Sequence, residues 1–73
     1  MFGIGEAVKE MRDGKRVRRT GWNGKNMYLE LQVPDTYSKM MLPYVYICTV
    51  DGKLVPWVCS QTDLLAVDWE TVE

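Results

Sequence analysis

The dipeptide Asp51-Gly52, with a β-branched and aromatic run before it and a second apolar run after it, constrains this chain more than any other feature. Asp-Gly between two strand-like segments predicts a hairpin closed by a two-residue turn, both central residues at positive φ. Tyr44 to Val50 is then one strand, apolar on both faces, and so central in a sheet or at a subunit contact. Lys53 to Val58 is the return strand. Its Pro56 has no amide to give to a ladder, which makes that strand an edge or gives it a bulge.

The remaining segments fit around that hairpin. Met27 to Val33 alternates, with Met27, Leu29, Leu31 and Val33 on one face and Tyr28, Glu30 and Gln32 on the other, the pattern of a half-buried antiparallel strand. Lys15 to Arg19 alternates around Val17, and Asp68 to Val72 closes the chain with Trp69 on one face. Ile4, Ala7, Val8 and Met11 recur at i, i+3, i+4 and i+7, which predicts an amphipathic helix over residues 4 to 13. Gly14 supplies its left-handed stop. So short a helix must lie on the sheet. Ser60 caps a second helix, Gln61 to Ala66, with Asp63 reaching back in a shortened capping box. Residues 35 to 42 carry no assignable pattern. The expected fold is α+β, one domain over residues 1–73. An N-terminal helix packs on a small antiparallel sheet of four to five strands, with a short helix before the last strand.

Seventy-three residues bury only about 60% of the surface their unfolded chain exposes, so such a domain needs support. Cys48 and Cys59 are no disulfide framework, and with no histidine a zinc site lacks ligands. Both cysteines read as free thiols in a reducing compartment. Self-association remains, and three tryptophans, four tyrosines and five methionines supply interface-type side chains for it. No run approaches the ~20 apolar residues of a membrane span and no signal-peptide core is present, so the expected location is the cytoplasm.

The net charge of −1 gives no general affinity for nucleic acid or membrane, but its distribution is uneven. Five of nine basic residues (Lys15, Arg16, Arg18, Arg19, Lys25) fall within positions 15 to 25, and four of ten acids (Asp63, Asp68, Glu70, Glu73) in the last eleven. A local basic patch of that size suits a small anion better than a long polyanion. The absence of histidine removes Ser-His and Cys-His catalysis and His-ligated metals. There is no P-loop, and Gly3-Ile4-Gly5 is only part of a dinucleotide fingerprint. Asp63 and Asp68 read as a helix cap and a surface residue. Binding without turnover and without a cofactor fits this inventory better than catalysis.

Two stretches could bind. In Arg18-Arg19-Thr20-Gly21-Trp22-Asn23-Gly24-Lys25 the two glycines tolerate positive φ, so the backbone can fold sharply around Trp22 and Asn23 and present an indole, an amide and several cations on one loop. Read plainly, it is a turn whose tryptophan packs in the core and whose arginines are solvated. Trp57-Val58-Cys59-Ser60-Gln61-Thr62-Asp63 runs into a helix N-terminus, where amides and hydroxyls can meet a phosphate or a ribose. Its plain reading is capping.

These residues also resemble a known family. Arg19 to Lys25 followed by Met27-Tyr28-Leu29, then Gly52-Lys53-Leu54-Val55-Pro56-Trp57 and Ser60 to Trp69, are similar to the two signatures of a family of small phage and bacterial proteins. Its characterised members are the second type of Thoeris anti-defence protein. In Thoeris immunity a TIR-domain enzyme converts NAD into a cyclic ADP-ribose isomer that activates an effector. The resemblance implies a sponge that binds such a signal, glycocyclic ADP-ribose in particular, and sequesters it uncleaved. Some members also bind cyclic dinucleotides at a separate site. It further implies a homo-oligomer, a tetramer in the known cases, with ligand pockets between subunits. Carried over by position, Trp22 and Asn23 would contact base or ribose, and Arg18, Arg19 and Lys25 the pyrophosphate. Gln61, Thr62 and Asp63 would add polar contacts, with Asp63 facing a ribose hydroxyl. The loop between Val33 and Tyr44 is shorter here than in longer relatives. The alternatives to a sponge are a phage accessory module that binds a protein partner and an enzyme that degrades the signal.

Overall fold

The computed structural model describes residues 1–72; Glu73, counted above among the C-terminal acids, lies outside them. Helix α1 (Ile4–Arg12) leads into β1 (Arg16–Arg19), β2 (Tyr28–Gln32), β3 (Tyr44–Cys48), β4 (Leu54–Pro56), the single turn α2 (Gln61–Leu64) and β5 (Trp69–Val72). The five strands form one antiparallel sheet in the order β4-β3-β2-β1-β5. This is the expected α+β architecture, with the chain's last strand inserted beside its first.

Alternation sorts the sheet into two faces. Val17, Leu29 and Ile47 stand in register across β1, β2 and β3, and Trp69 lies on the same face next to Arg19. On this face α1 presses Ala7 and Met11, with Ile4 and Val8 at the margin as their spacing predicts. The fully buried core is Ala7, Met11, Val17, Leu29 and Trp69 among the described residues. The helix ends in a Schellman motif: Gly14, at φ +86°, donates its amide to Met11 O, and Lys15 donates to Glu10 O. A two-residue bridge between Phe2 and Trp69 covers part of the outer edge of β5.

The hairpin exists but its turn differs from expectation. Only Gly52 takes positive φ (+82°), and its amide donates to Thr49 O. Val50, Asp51 and Gly52 therefore form a three-residue loop with a left-handed glycine at its end, in place of the two-residue turn. Thr49 explains the choice, since its hydroxyl accepts from the Lys53 amide and hydrogen-bonds Asp51, occupying the groups that a tighter turn would pair. Pro56 lies in edge strand β4, as its missing amide requires. Helix α2 is shorter than the Gln61–Ala66 expected.

α1 packs chiefly on β1, β2 and β5. Among the described residues no helix packs on the other end of the sheet, and there Met40, Met41, Leu42, Pro43, Tyr44, Val45, Pro56 and Trp57 line an open apolar groove of about 530 Å³.

Candidate functional site

The two stretches singled out in the sequence meet in space. Antiparallel pairing of β1 with β5 places Arg19 beside Trp69, and the chain before β5 carries Asp63 and Asp68 to the same spot. Arg19 Nε donates to Asp68 Oδ1 at 2.8 Å, and Arg19 Nη1 donates to Asp63 Oδ1 at 2.8 Å. The three side chains are only 16–23% exposed. Paired with two carboxylates, the guanidinium is held charged above the usual arginine range. Asp68 is held below the usual carboxylate range, first by Arg19 and then by the Gly21 amide and Thr20 hydroxyl.

Trp22 joins this network. Its indole Nε1 donates to Asp63 Oδ1 at 3.3 Å, and its ring meets Trp69 edge to face with centroids 5.4 Å apart. Trp57 also meets Trp69 edge to face, at 6.0 Å. Trp69 in turn donates its indole N–H to the Asp63 carbonyl. Trp22 is thus half in the core and half at the surface, where Arg18, Arg19, Thr20, Trp22, Gly24, Met27 and Glu70 line a cleft of about 270 Å³.

The other expected site residues are distributed around this centre. Arg18 lies at the cleft but is paired with Glu70, Nε to Oε2 at 3.1 Å. Asn23 and Lys25 are exposed on the loop, and Lys25 makes no ion pair with any described residue. Gln61 and Thr62 are exposed on the first turn of α2, beside Asp63 but not lining the cleft.

Three expectations are corrected. Asp63 does not complete a capping box: Ser60 Oγ accepts from the Asp63 amide at 3.0 Å, but the Asp63 carboxylate turns to the Arg19 guanidinium, which offers it a charge, and to the Trp22 indole N–H. Asp68 is no simple surface acid. The basic and acidic poles are not separate either. Strand pairing lays the basic β1 between acid-bearing neighbours, so Arg16 pairs with Glu30 and Arg18 with Glu70, while Arg19 takes both aspartates and Lys15 pairs with Glu10 of α1. Most of the basic patch is neutralised within the fold, which leaves Lys25 as its unpaired member among the described residues.

The glycines serve close approach. Neither Gly21 nor Gly24 takes positive φ; the left-handed residue of this loop is Asn26, at φ +62°. A Cβ on Gly24 would overlap Val50 and Met27, and one on Gly21 would stand 3.0 Å from Asp68 Oδ2. The loop is seated against the β3–β4 hairpin at one glycine and against Asp68 at the other.

Asp68 is the residue that sequence reasoning undervalued. The available signal was its position just before a strand whose partner carries Arg19, but the pairing of β1 with β5 is not written in either segment.

The sequence profile of the Tad2-like family, described as the Thoeris anti-defense 2-like domain, matches residues 2–72. A protein of Bacillus phage SP01 named Thoeris anti-defense 2 is 38% identical over 82 residues, which cover 94% of this chain and 92% of the phage protein. That comparison is longer than the 73 residues present here, so the phage protein carries inserted residues that this chain lacks. With nearly its whole length matched by the profile and by this relative, the chain belongs to the Thoeris anti-defense 2-like family.

Proposed function

We propose that this chain is a phage anti-defence protein that captures a cyclic ADP-ribose-type signal at the Trp22–Arg19 cleft and withholds it without cleaving it. Membership of the family supports the anti-defence role. The observation that carries the reading is a polar cleft whose Arg19 and Trp22 are both held by Asp63 of the distant second motif, with the Trp22 indole at its wall and the exposed Asn23 and Lys25 on the same loop. An indole stacks on a base or ribose, an amide hydrogen-bonds their edges, and an unpaired ammonium meets phosphate. Because Arg18 and Arg19 are already paired, Lys25 is the residue with the most charge to give, and Arg19 acts chiefly as a clamp. A ligand carrying a compact pyrophosphate suits one free cation better than an extended polyanion does.

The reading includes self-association, with a tetramer as the form expected. The chain exposes 5419 Å², where a compact monomer of its mass exposes about 4,700 Å². The excess of roughly 700 Å² is close to what one partner contributes to a standard interface. Met41 (90% exposed), Leu42, Leu65, Val67 and Val58 are among the apolar side chains left open to solvent. The same groove favours the second reading, a module that docks a protein partner through Met40–Val45, Pro56 and Trp57.

Calorimetric titration with cyclic ADP-ribose separates the two. On the sponge reading, Lys25→Ala and Asn23→Ala each weaken binding about tenfold, the scale of one charge-assisted hydrogen bond, with Tm unchanged. No heat with the unmodified protein, or variants that bind as well as it does, would overturn the assignment of the site.

A further inference from the structure

Asp68 does not line the cleft, yet both of its oxygens are committed to the segments that do. Oδ1 accepts from Arg19 Nε at 2.8 Å. Oδ2 accepts from the Gly21 amide at 2.9 Å and the Thr20 hydroxyl at 3.2 Å, and the Asp68 carbonyl accepts from the Thr20 amide at 3.0 Å. From Asp68 the chain of bonds continues through Arg19 to Asp63 and from Asp63 to the Trp22 indole. Gly21 and Trp22 are adjacent, so the bonds close a ring: Gly21 amide, Asp68, Arg19, Asp63, Trp22 indole.

A closed ring constrains more than its separate links. With every bond made, the Trp22 plane, the loop backbone and the guanidinium have one mutual arrangement. With the Asp68 link open, the loop still pivots on the Trp22–Asp63 bond and the edge contact with Trp69. An amide in place of the carboxylate cannot restore the ring. Asp68 accepts on both oxygens, whereas asparagine offers one acceptor and one donor, so one side would set donor against donor. The near contact of a Gly21 Cβ with Asp68 Oδ2 shows how little room this link has.

We propose that Asp68 is a positioning residue for the cleft: through the Gly21 and Arg19 links it sets the orientation of Trp22 and of the Arg19 guanidinium, and cleft affinity depends on its two-sided acceptance. This rests on the capture reading above, and the test keeps the two apart.

The three tryptophans provide the readout, since each indole N–H gives its own NMR signal. Trp22 belongs to the ring; Trp69, bonded to the Asp63 carbonyl and buried, reports the core, and Trp57 reports the packing against it. In Asp68→Asn the Trp22 indole is expected to exchange at least about tenfold faster, the equivalent of one lost hydrogen bond, while Trp69 and Trp57 hold their shifts and lose less protection than Trp22. Gly21→Ala, which attacks the same link from the loop side with Asp68 intact, is expected to give the same selective pattern. Both variants are expected to bind cyclic ADP-ribose at least about tenfold more weakly than the unmodified protein.

The proposal is overturned if all three indoles loosen together in both variants, because Asp68 would then be a general support of the fold. It is equally overturned if Trp22 is unmoved in both, or if Trp22 loosens while affinity is unchanged. If the unmodified protein binds no cyclic ADP-ribose, the capture reading fails, and the indole pattern still decides whether Asp68 orients the loop.

Discussion

Arg19 shows how one side chain can be read correctly for place and wrongly for role. Its position beside a glycine loop puts it at the cleft, but two aspartates take its charge before any ligand arrives. Nothing local announces this, since Asp63 and Asp68 are more than forty residues away. The pairing has a pH signature. Asp68 is depressed by Arg19, Gly21 and Thr20 in the folded state, so its contribution to stability is fully present above the unfolded value, about pH 4, and is lost as pH falls through the lower folded value. Thermal melts of the protein should therefore show Tm falling on acidification below about pH 4, and Asp68→Asn should lower Tm at neutral pH while shrinking that acid drop. An undiminished drop in the variant would place the acid sensitivity elsewhere. Tyr46 gives the opposite sign at alkaline pH. Burial, and then its donated bond to Glu30, push its hydroxyl up to about 12. Its contribution is present below the unfolded value near 10 and is lost as pH rises through the folded value. Tyr46→Phe should flatten the loss of stability across that window, as followed by circular dichroism.

Among the elements, α1, β2 and the hairpin were legible because each is written in consecutive residues: a 3.6-residue spacing, a strict alternation, an Asp-Gly between apolar runs. The turn differs from the two-residue expectation because Thr49, two positions before Asp51, takes the bonds that a two-residue turn needs. The glycine loop was misread for a related reason. A glycine at positive φ and a glycine pressed against a neighbour look the same in sequence, and the neighbour here is Val50, on the tip of the hairpin. Gly24→Ala should therefore act through overlap with Val50 and Met27, typically costing about 1–3 kcal/mol. Val50→Ala in the same chain should recover part of that cost in denaturant titrations. Gly24→Ala with no loss, or a double variant no better than the single, would contradict the close seating of loop on hairpin. The Ser60 cap was legible, and removing it with Ser60→Ala should cost about 1 kcal/mol by the same measurement.

At the scale of the molecule, five buried side chains carry the core among the described residues, and Trp69 is the largest of them. A 73-residue domain has roughly 4–11 kcal/mol of stability in all, so the about 3–5 kcal/mol cost of Trp69→Ala consumes much or all of it. The class of fold and the smallness of its core could both be read from length and pattern. The strand order could not, because inserting β5 beside β1 is a long-range choice, and that choice assembles the cleft. The uncovered apolar end of the sheet belongs to this scale too. Light scattering at micromolar concentration should show a mass several times 8.5 kDa, and charge at Met41 and Leu42 should reduce it; a stable monomer would contradict the self-association proposed above. The central claim, capture without cleavage, is tested most directly by capture and release. The protein is mixed with the product of a TIR-domain NAD-cleaving enzyme, freed of unbound nucleotide, heat-denatured, and the supernatant read by mass spectrometry. Recovery of an intact cyclic ADP-ribose isomer is the result this account predicts; a linearised product, or no nucleotide retained, would contradict it.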